Sequence, residues 1–113
     1  MSTRSAGVAV ERRAARHYRL RGYRVLARNV WAGRYELDLV VRRGRRLVFV
    51  EVKGKSGDRY GAPAEMVGNE KRRRIRRAAE TWLYAHPDLA ALDICFEVVA
   101  VTGRRAERIP DAA

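Results

Sequence analysis

Apolar residues recur along the first part of the chain with a helical period. From about Ala6 to Arg21 the residues suit a helix, with Ala14, Ala15 and Tyr18 forming a modest apolar stripe and Gly22 placed to end it. Glu11 lies three, four and seven residues before those positions, so it falls on the same stripe. A carboxylate facing a core is costly unless it is paired or bound to a metal, so Glu11 is the first local inconsistency in the sequence.

After Gly22 the period shortens to two. Tyr23 to Val30 read as a first strand and Tyr35 to Val41 as a second. In the second, alternation sets Tyr35, Leu37, Leu39 and Val41 on one face and Glu36, Asp38 and Val40 on the other. A basic turn, Arg42-Arg43-Gly44-Arg45-Arg46, leads to a third strand from Leu47 to Lys53, giving an antiparallel hairpin. Val48, Val50 and Val52 share one face of that strand, and Leu47, Phe49, Glu51 and Lys53 share the other. A strand apolar on both sides is central in its sheet, so the charges at its end are unexpected.

Gly54 to Pro63 read as a loop. A second helix follows from about Glu65 or Asn69 to Ala85, with Ile75, Ala78, Ala79, Trp82 and Leu83 on its inner face, and Leu92 to Val101 make a last strand. The order αβββαβ predicts an α/β domain with a mixed sheet flanked by helices. With 113 residues there is room for one core, expected over residues 6–109, with residues 1–5 and 110–113 as flexible ends.

Charge changes this picture more than bulk composition does. Lys and Arg number 25 against 13 Asp and Glu, a formal net charge of +12. Nearly all the excess is arginine, which suits bidentate phosphate contacts and makes nucleic acid a better partner than a membrane. The competing explanation is an arginine-rich solvated surface. Lys71, Arg72, Arg73, Arg74, Arg76 and Arg77 surround the first turns of the second helix, where cations oppose the macrodipole. With Arg42, Arg43, Arg45, Arg46 and Lys55 they are the candidate nucleic-acid-binding residues. No apolar run is long enough to span a membrane, and no apolar leader follows Met1. The single cysteine, Cys95, lies in an apolar run, as expected of a core residue in a reducing cytoplasmic compartment.

The candidate chemistry sits on the hairpin. Glu51 and Lys53 project to one face two residues apart, and pairing with the neighbouring strand can bring Asp38 beside them. Two carboxylates offer hard oxygen ligands to Mg²⁺ or Mn²⁺, with the Val52 carbonyl as a further oxygen. Such a metal polarises a scissile phosphate and acidifies a bound water, while Lys53 orients that water or stabilises charge on the phosphoryl oxygens. Lys53 is also a candidate base if desolvation favours its neutral form. Glu36 shares the Asp38 face and is either a further ligand or an arginine partner. The bland alternative is a pair of salt bridges at the sheet edge.

Other chemistries find no support. His17 and His86 are far apart and read as surface and helix-end residues, so no zinc spacing exists, and no glycine-rich phosphate loop suggests a nucleotide cofactor. Trp31, Tyr35 and Tyr60 are candidates for base stacking or for ordinary packing.

Together these residues resemble the YraN-like bacterial proteins, which are similar to Holliday-junction resolvases and other PD-(D/E)xK nucleases of restriction-endonuclease-like fold. The resemblance runs from about Gly7 to Ile109. It rests on Glu11 with Ala14, Gly22-Tyr23, Arg28-Asn29, Glu36-Leu37-Asp38-Leu39, Phe49-Val50-Glu51-Val52-Lys53, Tyr60-Gly61-Ala62-Pro63 with Glu65, Lys71, Ile75, Ala79 and Leu83, and Phe96 to Val101. It implies that Asp38, Glu51 and Lys53 fill the D…E-x-K nuclease positions and that Glu11 is the first-helix acid brought toward the metal. Three departures stand out: Tyr35 in place of a glycine, Gly54-Lys55 after Lys53, and Glu97 in place of an aspartate.

The resulting expectation is a Mg²⁺- or Mn²⁺-dependent endonuclease acting on DNA rather than RNA, with branched or structured DNA as a candidate substrate. Asp38, Glu51 and the Val52 carbonyl are the expected ligands, with Glu11 and Glu36 as further candidates. Related resolvases work as pairs, so a homodimer is plausible. The rival expectation is a nucleic-acid-binding module of the same fold that no longer cleaves. A third is a structural adaptor whose acids form salt bridges.

Overall fold

Gly22 ends the first helix through its backbone. The computed structural model describes residues 3–54 and 69–110, with side chains placed over 8–54 and 70–109. In it α1 (Thr3–Arg19) is followed by Gly22 at φ 87°. The Tyr23 N–H donates to the Tyr18 carbonyl at 3.1 Å and the Gly22 N–H to that of Arg19 at 3.0 Å, the paired bonds of a Schellman cap.

Three strands follow, β1 (Arg24–Ala32), β2 (Tyr35–Arg43) and β3 (Arg46–Gly54). After α2 (Asn69–Ala85) and a 3₁₀ turn (Pro87–Leu89) come β4 (Asp93–Thr102) and β5 (Arg105–Pro110). Each hairpin turns on a Gly-Arg pair: Gly33-Arg34, Gly44-Arg45 and Gly103-Arg104. The glycines have φ of 69°, 59° and 58° and the arginines do not, as two-residue turns with a left-handed first position require. An arginine is thus presented at every hairpin tip.

The sheet order is β1-β2-β3-β4-β5, antiparallel except for the parallel β3–β4 pair. One helix covers each face. Leu47, Phe49, Val40 and Val98 meet Ile75, Ala78, Ala79 and Trp82 of α2 in one core. Val41, Val48, Val50, Val99 and Val101 meet Ala14, Ala15 and Tyr18 of α1 in the other. Leu47, Val48, Phe49 and Val50 are all buried, each worth about 1.5–3 kcal/mol of apolar burial, which fixes β3 at the centre of the sheet. Among the described residues no helix is long and apolar enough to cross a membrane.

The structure departs from the sequence expectation in three respects. β5 is an additional strand, so the order is αβββαββ, and it extends to Pro110 in what read as a frayed tail. Its six residues are too polar to announce themselves, and they are held by pairing with β4 from Thr102↔Arg105 to Glu97↔Pro110. The first helix begins at Thr3, inside the stretch expected to be flexible. Strict alternation fails in β2, because Leu37 packs with the α2 core while Leu39 packs with the α1 core. Two residues on one strand reach opposite faces only if the strand twists sharply between them, and Asp38 is the residue between them. Lys55, Tyr60 and Glu65 lie outside the described residues.

Candidate active site at the β2–β3 divergence

The twist at Asp38 coincides with the end of a ladder. β2 and β3 pair from Arg43↔Arg46 to Leu39↔Val50 and no further. Continuing that register would set Asp38 opposite Glu51. Instead, the Val52 N–H donates to Asp38 Oδ2 at 2.9 Å, so a side chain takes the place of a backbone partner. The Asp38 carboxylate is thereby turned into the gap between the parting strands.

Glu51 and Lys53 project from β3 beside it. Lys53 Nζ lies 2.9 Å from Glu51 Oε1, with side chains only 16% and 15% exposed, and Lys71 Nζ of α2 reaches the same oxygen at 3.7 Å. Asp38 has its carboxyl pushed up to about 7 from an ordinary 3.8. Burial is the largest cause, followed by the charge of Glu51, and Glu11 adds a smaller push in the same direction, while the Val52 N–H opposes them. Asp38 and Glu51 therefore crowd one partly buried space, in which, among the described residues, both lysines reach Glu51 and neither pairs with Asp38. A divalent cation relieves that repulsion, so the pair of hard oxygen donors fits Mg²⁺ or Mn²⁺.

Glu11 comes from α1 on the other face. Its Oε2 accepts a bond from Asn29 Nδ2 at 2.6 Å. Asn29 itself has φ 49°, a left-handed value that asparagine tolerates better than most residues. It is opposite Asp38 in the extended β1–β2 register, between Arg28↔Leu39 and Val30↔Leu37. Both strands are thus irregular at one level, and Glu11, Asn29 and Asp38 meet there. Asn29 belonged to the quoted motif but had no assigned role; its position directly across from Asp38 was the available signal. Glu36 is exposed on β2 opposite Trp31. Among the described residues no three Asp, Glu, His or Cys side chains are grouped so as to hold a metal ion together.

The turn arginines are engaged elsewhere. Arg42 Nε donates to the Gly44 carbonyl, Arg43 Nη1 to that of Arg21, and Arg45 Nη2 to that of Ala91. They sit at the opposite end of β3 from Glu51, about 17 Å away for five residues of strand. On α2, Arg74 pairs with Glu70 at 2.8 Å and lies over the Tyr35 ring, while Arg76 lies over Phe96. Arg77 borders a cavity of about 500 Å³ with Arg34, Tyr35 and Glu80.

Glu97 is a second buried acid with a different purpose. It is 0% exposed, and the Tyr18 hydroxyl donates to its Oε1 at 2.6 Å. Arg46 Nη2 donates to Oε2 at 2.6 Å, and Arg108 grips both oxygens through Nε at 2.9 Å and Nη2 at 3.0 Å. Burial raises the carboxyl's pKa, but the hydrogen bonds from Arg108, Tyr18 and Arg46 outweigh it and hold Glu97 below its ordinary value. Arg108 also lies over the Tyr18 and Tyr23 rings. The cluster ties α1, β3, β4 and β5 together, and nothing in the local sequence signals it, because its members are up to 90 residues apart.

Comparison with known proteins identifies a family. The family model described as uncharacterised protein family UPF0102 matches residues 10–101. A UPF0102 protein of Frankia casuarinae is 48% identical over 79% of this chain and 75% of its own length. One from Methylorubrum extorquens is 40% identical over 98% of this chain and 86% of its own. The UPF0102 protein YraN of Escherichia coli is 37% identical over 99% and 86%. With a family model that runs from within α1 to the end of β4, and relatives this similar over most of its length, the chain belongs to the UPF0102 family.

Proposed function

We propose that this protein is a metal-dependent nuclease that hydrolyses phosphodiester bonds in DNA, with branched or otherwise structured DNA as the favoured substrate. The observation that carries the reading is the meeting of Asp38 and Glu51 in a partly buried gap, with Lys53 against Glu51. A domain that only binds nucleic acid has no need to crowd two carboxylates, since the repulsion costs stability.

Asp38 and Glu51 would hold Mg²⁺ or Mn²⁺, which supplies charge neutralisation at the phosphate and acidifies a bound water. Attack of water on phosphorus breaks one P–O ester bond and builds negative charge on the phosphoryl oxygens. Lys53 and Lys71 both reach Glu51 and stand ready to balance that charge. Asn29 fixes Glu11, and the Val52 N–H fixes Asp38, so the acids are oriented before substrate arrives.

One observation favours a second reading. Glu51 is already neutralised within the chain by two lysines, as suits a site that binds DNA without cutting it. Calorimetry with Mn²⁺ on the wild type, Asp38→Ala and Glu51→Ala separates the two. Binding lost in both variants, with cleavage of flap or junction DNA lost in parallel, supports the nuclease. No Mn²⁺ binding even with DNA present leaves the silent module.

A further inference from the structure

Away from the carboxylates, a cavity of about 420 Å³ opens between α1 and the β4–β5 turn, lined by Arg13, Arg16, His17, Leu20, Arg21, Arg104 and Ala106. No acid lines it. The arginines come from three places in the chain: the body of α1, the segment after it, and the tip of the last hairpin. Arg21 is anchored by donation from Nη1 to the His17 carbonyl at 2.9 Å, which holds one guanidinium at the rim.

The surroundings do not answer this charge. The acid beneath, Glu97, is already clamped by Arg46 and Arg108, two cations on one anion. On β5, alternation places Ala106 in the core under α1 and puts Glu107 on the opposite face. Four guanidiniums gathered around a concave surface, with no counter-charge lining it among the described residues, repel one another, which costs stability unless an anion binds. The cavity is too polar for an apolar ligand, and arginine forks match phosphate oxygens.

Its place in the fold suggests which anion. Gly54 pairs with Val101, so the β4–β5 turn carrying Arg104 is at the same end of the sheet as Lys53. Arg13 is two residues from Glu11 on α1. We infer that the cleft framed by Arg13, Arg16, Arg21 and Arg104 binds backbone phosphates of a nucleic-acid strand, giving a second contact region beyond the carboxylate site. The inference rests on nucleic acid being the substrate of the proposed function, but not on cleavage.

His17 supplies a local reporter. Its Nε2 is shielded from solvent and has no hydrogen-bond partner among the described residues. The groups acting on it are Arg21 of its own segment, Arg108 of β5 and Glu97 of β4, besides the cleft arginines. Burial and the two arginines hold its pKa below the ordinary 6.5, so an anion in the cleft should shift its imidazole resonances.

The test is fluorescence anisotropy of the full chain with a labelled DNA oligonucleotide, in EDTA, over a series of KCl concentrations. A triple variant, Arg13→Ala with Arg16→Ala and Arg104→Ala, is expected to weaken binding at least about tenfold and to lower the salt slope by about 2–3. A matched triple, Arg12→Ala with Arg19→Ala and Arg24→Ala, removes the same charge from exposed positions outside the cleft and should cost less than about threefold. Equal losses in both triples, or wild-type affinity in the first, would overturn the inference, with thermal melts confirming that both fold. A His17 shift caused by inorganic phosphate but not by DNA would also overturn it, leaving a small-anion site. DNA that binds through the cleft in EDTA but is never cut when Mn²⁺ is added removes only the nuclease reading.

Discussion

Asp38→Asn puts a number on the strain at the carboxylate pair. The substitution removes one charge and keeps an oxygen for the Val52 N–H, so the strand divergence should persist. Moving a carboxyl from 3.8 to about 7 represents a cost of about 4 kcal/mol for the ionised form. Partial exposure and ionic screening reduce the usable share to about 1–3 kcal/mol. The folded value is raised above the unfolded one. Protonated Asp38 therefore carries no penalty below about pH 4, and stability is lost as pH rises through about 7. The variant should consequently be more stable than wild type by about 1–3 kcal/mol at about pH 8, or about 4–12 °C in Tm, and by well under half of that at about pH 5. Scanning calorimetry at both pH values in EDTA reads the difference directly. Adding Mn²⁺ should then stabilise the wild type and leave the variant unmoved. A variant no more stable than wild type at the higher pH, or one with the same gain at both, would refute the claim that Asp38 is held against its charge.

Other substitutions probe separate parts of the molecule. Glu97→Gln leaves Arg46 and Arg108 without their charge partner and should destabilise by about 2–4 kcal/mol in urea unfolding; a loss under 0.5 kcal/mol would show the clamp to be dispensable. Glu97 is held below its ordinary 4.5, so its contribution is present above that pH and lost as pH falls through the lower folded value; the acid limb of the wild-type stability curve should be blunted in Glu97→Gln. Lys53→Met should lower cleavage at least about 100-fold while calorimetric Mn²⁺ binding persists, and full activity would remove Lys53 from the chemistry. Trp31 is 68% exposed on the edge strand, so Trp31→Ala should leave Tm unchanged yet weaken single-stranded DNA binding by about 1–3 kcal/mol if its indole stacks a base; unchanged affinity would make it a bystander.

The hairpin and the positions of its charged residues were legible in the sequence because both are local. Two apolar strands joined by Gly44-Arg45 fix which residues oppose each other, and Glu51-x-Lys53 shares a face by alternation alone. Glu11 was legible as a misplaced charge, since the Ala14, Ala15 and Tyr18 stripe is buried beside it. What alternation misrepresented was β2 at Asp38, where tertiary twist sends Leu37 and Leu39 to different cores. The Glu97 clamp and the arginine cleft were invisible for a related reason. Each depends on β4 lying parallel to β3 and on β5 folding back beneath α1, and no short-range pattern encodes either. The Arg42–Arg46 turn illustrates the opposite error, in which a local run of charge suggested a surface patch although Arg46 is committed to Glu97.

Strand order follows chain order throughout the sheet, and this has a kinetic consequence. Three of the four pairings close through two-residue turns, whereas β3–β4 must close the whole segment from Gly54 to Asp93 at a loop-entropy cost of about 3 kcal/mol. The β1–β3 meander that carries Asn29, Asp38, Glu51 and Lys53 is therefore expected to form early, with β4–β5 docking afterwards. Substitutions at Val41 and Val48 should slow folding, while those at Val99 and Val101 should mainly speed unfolding. On that order the acids are assembled on a nascent hairpin, and docking of Glu97 between Arg46 and Arg108 is the step that makes the assembly last.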